Sequence, residues 1–319
     1  MAESHFIVRD VCPVCNSKSH QTLYATRYSQ SPLKEFVINY YTQHGTPDSG
    51  CLEGANYILE ECSGCGLIYQ KEAPTDILMA KIYEEWINPH TNIENHSKSD
   101  DANYFSVYAH EVMRLLAYYN RAPSSIKVLD FGMGLAKWAL MAKAFGCDVY
   151  GTEISAVKKI RAQDCGIKVI ELSDDINDKY DFINVDQVIE HLRDPLDTLI
   201  NLKKHLKPDG IIKVCVPDGG DIKKRLKIMD WNAPRWSNNS LLPIHPLVHI
   251  NCFNRGSLMQ LVDRAGFKAL ANADTKKFPL LIRNNPVKAK SPRSITRAIR
   301  EEWRYNFNWP PTYLLLRHK

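Results

Sequence analysis

No run of about 18 apolar residues occurs in the 319-residue chain, so no transmembrane helix is expected. The opening MAESHFIVRD lacks the basic start and apolar stretch of a secretory signal, and a cytoplasmic location is the default expectation. Internal repeats and low-complexity tracts are missing, and the composition is ordinary for a globular protein at 44% hydrophobic and 24% charged. A regular disulfide framework is missing too. The nine cysteines are an odd number, and five of them (Cys51, Cys147, Cys165, Cys215, Cys252) are scattered. Those five read as reduced, mostly buried thiols.

Charge is unevenly placed. Residues 276–319 hold eleven Lys/Arg against Glu301 and Glu302, a net +9, while residues 1–275 sum to −4. A basic tail of this kind can meet nucleic acid, an anionic lipid surface or a phosphorylated substrate, or be a solvated, partly helical segment.

Apolar spacing divides the chain. DILMAKIYEEWI and NYFSVYAHEVMRLLAYYN, within residues 75–120, repeat at three- and four-residue steps and read as helices; NPHTNIENHSKSDD between them reads as a loop. From Ser125 onward short apolar runs (IKVLDF, CDVYGTE, IKVIEL, DFINVD, GIIKVCVP) alternate with amphipathic helices. That alternation predicts an α/β fold, a doubly wound, mostly parallel sheet covered on both faces. GSLMQLVDRAGF is a further helix, and FKALANAD with KFPLLIRN is expected as an antiparallel pair at the sheet edge. The expected divisions are an N-terminal region at 1–74, a helical connector or lid at 75–122, a core at 123–285 with an insert at 217–254, and a basic tail at 286–319.

The segment VLDFGMGLAKWA runs an apolar strand into Asp130, a Gly-x-Gly bend at Gly132 and Gly134, and a helix. Glycine permits the sharp bend and the close approach of a ligand, and the helix start offers unpaired N–H groups. About twenty residues on, the next strand ends in Glu153, where an acid can accept both hydroxyls of a ribose. Such a site suits NAD or S-adenosylmethionine (SAM). Lys137 occupies the third glycine position of GxGxxG, which gives a pyrophosphate a poorer seat.

The ordered series D-F-G-M-G, Glu153, DFINVDQVIEHLRDP and LKPDGIIKVCVP, over residues 126–273, resembles class I SAM-dependent methyltransferases of Rossmann-like fold. The resemblance implies that Asp130, Gly132 and Gly134 cradle the methionine end of SAM, that Glu153 holds the ribose, and that Ile154 packs on the adenine. It further implies that Leu172, Ser173 and Asp174 border the adenine edge, and that Asp186 and Gln187 stand beside the sulfonium. Glu190–His191 matches a pair that in this family more often fixes the turn after the fourth strand than acts as acid and base. Met133 and Leu135 depart from the small or polar pair common in relatives, which puts the shape of the methionine pocket in question.

Cys12-Pro-Val-Cys15 and Cys62-Ser-Gly-Cys65 are two knuckle-like pairs whose four thiolates suit a closed, structural Zn²⁺ site, with a redox CxxC or no metal as the alternatives. The 46 residues between the pairs are expected to carry elements of their own. A zinc ribbon joined to a SAM-binding core resembles methyltransferases acting on sugars and natural products; the Tyr-His-Glu-His element of sugar C-methyltransferases is absent, which leaves O- or N-methylation ahead. The segment after strand five holds Trp231, Trp236, His245 and His249, and HINCF resembles an H-x-N-x-F element of related enzymes. His249, then His245, is the candidate base for a hydroxyl acceptor. His249 also suits a packed histidine, and both tryptophans suit either core or a platform on which the acceptor stacks. Transfer to a small, polar, sugar-containing acceptor is the leading expectation. An RNA methyltransferase using the zinc region and tail, a silent SAM-fold scaffold and a dehydrogenase are the alternatives.

Overall fold

The computed structural model describes residues 5–90, 102–172, 179–235, 237–270 and 312–319. Two compact units emerge. One combines residues 1–97, 189–198 and 216–264; the other combines 98–188, 199–215 and 265–319.

The second unit is built on a seven-stranded sheet. Its strands are numbered β1 (Lys127–Phe131), β2 (Asp148–Thr152), β3 (Lys168–Val169), β4 (Tyr180–Asp186), β5 (Leu206–Cys215), β6 (Phe267–Ala269) and β7 (Tyr313–His318). The order across the sheet is β6-β7-β5-β4-β1-β2-β3. The pairings β5–β4, β4–β1, β1–β2 and β2–β3 are parallel. β7 runs antiparallel to both β5 and β6. Near-continuous apolar strands such as KVLDF and YDFINVD suit a parallel sheet buried on both faces. Helix α1 (Ala102–Tyr119) contributes Val112 and Leu115, and helix α2 (Lys137–Ala144) contributes Trp138, Ala139 and Ala142, to a core shared with Val128 and Phe182.

Among the described residues the strand FKA pairs with Tyr313–His318; KFPLLIRN, its expected partner, lies outside the described residues. The last strand thus comes from the segment read as a basic tail; the rest of that tail, residues 286–311, also lies outside the described residues. Four consecutive buried residues, Tyr313 to Leu316, give this strand an apolar surface that outweighs Arg317 and Lys319. The tally of charges concealed it.

The first unit holds an antiparallel four-stranded sheet ordered Asn251–Cys252, Ile68–Gln70, Asn56–Cys62, His20–Arg27, and a small pair of Phe6–Val8 with Glu72–Pro74. The stretch between the two cysteine pairs does carry its own elements: the strand His20–Arg27, the helix Leu33–Thr42 and most of the strand Asn56–Cys62. Leu33, Val37 and Tyr41 on the helix pack with Tyr57, Trp86, Trp231 and Leu247. Among the described residues, no helix is long and apolar enough to cross a membrane.

Candidate functional site

In the parallel sheet, register sets Asp130 beside Gly151 on one side and Asn184 on the other. Asp130 is 4% exposed and accepts a 2.8 Å hydrogen bond from Asn184 Nδ2. Burial pushes its carboxyl up to about 7, against the pull of Asn184 and of Lys213; Asp186 pushes the same way as burial.

The bend that follows is left-handed at three positions: Gly132 (φ 68°), Gly134 (φ 55°) and Ala136 (φ 57°). The Gly132 amide donates to Thr152 Oγ1 at 3.0 Å, and a Cβ at 132 would stand 2.7 Å from Val188 Cγ2. A Cβ at Gly134 would meet nothing within 4 Å, so that position has open space before it and needs glycine for its φ alone. Met133 turns inward: its sulfur occupies the place a side chain at Gly151 would fill, 2.2 Å from such a Cβ. The bulky Met133 is therefore part of the core, matched by a glycine on β2.

At the end of β2, Glu153 Oε1 accepts from the amides of Ile154 (2.9 Å) and Ser155 (3.0 Å), which fixes the carboxylate at the start of helix α3 (Ala156–Asp164). Ile154 is 69% exposed, an aliphatic side chain standing in solvent next to that carboxylate. Leu172 is half-buried; Ser173 and Asp174 lie outside the described residues.

At the end of β4, Gln187 is left-handed (φ 57°) and its amide donates to Cys215 O at 2.8 Å. Asp186 is engaged by Lys213 Nζ at 2.8 Å. Lys213 is 1% exposed and also binds Glu111 of α1 at 2.9 Å. Burial works against its charge, and the two carboxylates more than offset that, raising its pKa well above the usual lysine value. The sequence reading passed over Lys213 and Glu111. The signal was present: a lysine inside the apolar run GIIKVCVP of a central strand needs a buried partner.

In the first unit, Cys12 and Cys15 sit on the turn after Phe6–Val8, and Cys62 and Cys65 on the turn between Asn56–Cys62 and Ile68–Gln70. The four sulfurs lie within 4.8 Å of one another, with Cys12–Cys65 at 3.5 Å and Cys15–Cys62 at 3.3 Å. A tetrahedral ion with bonds of about 2.3 Å has sulfur–sulfur edges near 3.8 Å, so the cluster fits Zn²⁺. Contact with Cys65 brings the Cys12 thiol down to about 5 and pushes Cys65 up. The Gly64 amide donates to Cys62 Sγ at 3.3 Å, the contact expected of a knuckle.

The same unit holds the acceptor-side candidates. His249 Nδ1 donates to Leu242 O, and His245 Nδ1 to Pro246 O at 3.1 Å. Both rings are buried, and burial lowers His245 to about 3 and His249 well below its usual value. Trp231 is core, 4.9 Å from the Phe36 ring, so of its two readings packing is the one observed. Trp236 lies outside the described residues. Asn251 of HINCF donates to Leu192 O at 2.6 Å and Ile189 O at 3.4 Å, binding both ends of the turn that carries Glu190 and His191. The guanidinium of Arg9, also unforeseen, reaches Asn251 Oδ1 at 2.8 Å.

Comparison with known proteins agrees with the core. A family model described as a methyltransferase domain matches residues 101–272. The ubiquinone biosynthesis O-methyltransferase of Rickettsia akari (strain Hartford) is 32% identical over 111 residues, covering 31% of this chain and 43% of that protein. The match thus spans less than half the length of that curated relative. Among solved structures, a plantazolicin methyltransferase in complex with SAH is 15% identical and covers 76% of this chain and 94% of its own, with a TM-score of 0.45. A possible histamine N-methyltransferase from Thermotoga maritima is 20% identical, covers 50% of this chain and 73% of its own, and has a TM-score of 0.34. With more than half of its residues matched by one family model, over the segment that carries the glycine bend and the parallel sheet, the chain belongs to the methyltransferase-domain family.

Proposed function

We propose that the protein transfers a methyl group from SAM to a hydroxyl of a small polar acceptor, a sugar or a glycan or natural-product intermediate. The observation that carries the cofactor half lies at the ends of β1 and β2: an open left-handed Gly134, the fixed Glu153 carboxylate and the solvent-exposed Ile154. An exposed aliphatic side chain beside a fixed acid suits a nucleoside, with base on Ile154 and ribose on Glu153. In this reading Asp130, Gly132 and Gly134 hold the methionine end, Leu172, Ser173 and Asp174 border the adenine, and Asp186 and Gln187 face the sulfonium. Hydroxyl as the acceptor atom is supported by the name of the Rickettsia relative.

SAM supplies a methyl group on a positively charged sulfur. The acceptor oxygen forms the new C–O bond as the C–S bond breaks, with that electron pair going to sulfur and the hydroxyl proton going to a base. The protein's share is alignment and exclusion of water. On the acceptor side we assign His249 first and His245 second. The Nδ1 of each is committed to a carbonyl, which leaves the lone pair on Nε2. Cys12, Cys15, Cys62 and Cys65 would hold a structural Zn²⁺, with no open position for chemistry. The divisions proposed are zinc region 1–74, connector 75–122, core 123–285 and tail 286–319, with Tyr313–His318 returning to the core sheet.

The test is incubation with methyl-labelled SAM and a cell extract, with labelled products identified by mass spectrometry. Label on a glycan, nucleotide sugar or related metabolite supports the reading, and label on RNA overturns its acceptor half.

A further inference from the structure

The geometry points to a second metal site, a divalent-cation site formed by Glu190, His191 and His249. One carboxylate oxygen and one ring nitrogen from each histidine lie within 4.8 Å of one another, and His191 Nε2 is 3.9 Å from Glu190 Oε1. Bonds of about 2.0–2.2 Å from nitrogen and oxygen to a common ion span such a pair.

The rings are already set as ligands. His191 Nδ1 lies 2.8 Å from Val248 O and His249 Nδ1 is bonded to Leu242 O. A carbonyl only accepts, so each Nδ1 carries the hydrogen and each Nε2 carries the lone pair. A ligating histidine characteristically gives its other N–H to a backbone carbonyl in this way. The turn is fixed as well: Asn251, two residues beyond His249, grips the carbonyls of Ile189 and Leu192 on either side of the pair. The two rings stand 4.8 Å apart, near perpendicular.

Two imidazoles and one carboxylate suit Mn²⁺, Fe²⁺, Co²⁺ or Zn²⁺ and leave open positions, unlike the four-thiolate cluster. An acceptor hydroxyl on an open position would lose its proton more easily, and with the His249 lone pair on the ion the proton would go to His245, the second candidate base. That use of the ion rests on the O-methylation reading, but the site itself does not.

Mn²⁺ is the probe, because it is hard and the thiolate cluster is soft. Full-length, zinc-loaded protein is titrated with Mn²⁺ and the free-ion signal followed by electron paramagnetic resonance. One ion per chain is expected to bind, with affinity falling at least tenfold in Glu190→Gln and in His249→Ala. Loss of the free signal by the unaltered protein but equally by both variants would overturn the site. So would an unaltered protein that leaves the signal unchanged at millimolar Mn²⁺; that result needs no variant to fold. Glu190→Gln keeps the side-chain shape, and its melting curve is the control for folding. Methyl transfer is measured separately: transfer without Mn²⁺ binding removes only the cation site, and Mn²⁺ binding without transfer to a hydroxyl removes only the O-methylation reading.

Discussion

Lys213 donates to Asp186 at 2.8 Å from inside the central strand β5, and it also neutralises Glu111 across the α1–sheet core. Asp186 is proposed to face the sulfonium, so this lysine is a positioning residue for it. Replacing Lys213 with Met leaves two carboxylates without their buried counterion. A loss of about 3–5 kcal/mol in denaturant unfolding is expected, and the remaining folded protein should bind SAM more weakly in calorimetry. Unchanged stability would show that the carboxylates are solvated some other way.

Ile154 gives the converse case. At 69% exposure it contributes little to folding, and Ile154→Ala should stay within about 0.5 kcal/mol of the parent in unfolding. If its side chain packs on adenine, loss of about 1 kcal/mol of apolar contact should weaken SAM binding roughly fivefold. Equal affinity would remove Ile154 from the cofactor site.

Gly134→Ala tests the bend. The added methyl meets no atom, so only the left-handed φ of 55° opposes it, at a cost of about 1–2 kcal/mol. Gly132→Ala adds a 2.7 Å approach to Val188 and should be the more damaging of the two in thermal melting. The reverse ranking would mean that the loop shifts to absorb the clash.

Asp130 predicts a pH dependence. Its folded-state value near 7 lies above the unfolded carboxyl near 4, so between these the folded state holds the extra proton. Stability from this group is complete below about pH 4 and is lost as pH rises to about 7, at up to about 1.4 kcal/mol per unit. Lys213 opposes the shift, and Asp186 and burial drive it. The difference in unfolding free energy between Asp130→Asn and the parent should therefore grow from pH 4 to 7 and level off above. A difference independent of pH would show an Asp130 that stays ionised.

Cys12→Ser, or a strong chelator, should release one Zn²⁺ per chain, measured by elemental analysis, and destabilise the first unit by several kcal/mol, a part of the roughly 10 kcal/mol typical of such sites. Retained stability without zinc would show a thiol cluster that packs without a metal.

The sheet and its bend were legible because they rest on local rules. VLDFGMG needs glycine where φ is positive, and strands such as DFINVD are apolar throughout because both faces are covered. The packing partner of Met133 was not legible: that Gly151 makes room for it is a pairing across two strands. Tyr313–His318 was hidden for a related reason, since four apolar residues at the end of a charged segment gain meaning only when β5 lies beside them. Lys213 could have been found, as a charge where the pattern allows none. His249 and Asn251 were read as one short element, but their partners at 189–192 lie some 60 residues earlier, beyond the reach of any periodicity.

The short strand Asn251–Cys252 closes the sheet that carries the cysteine knuckles, although some 180 residues of chain separate it from its neighbour Ile68–Gln70. During synthesis that sheet must therefore wait, with one edge bare, until most of the polypeptide has left the ribosome. A fragment cut after residue 97 keeps all four thiols yet has no means of covering that edge, and it should associate with itself rather than persist as a monomer.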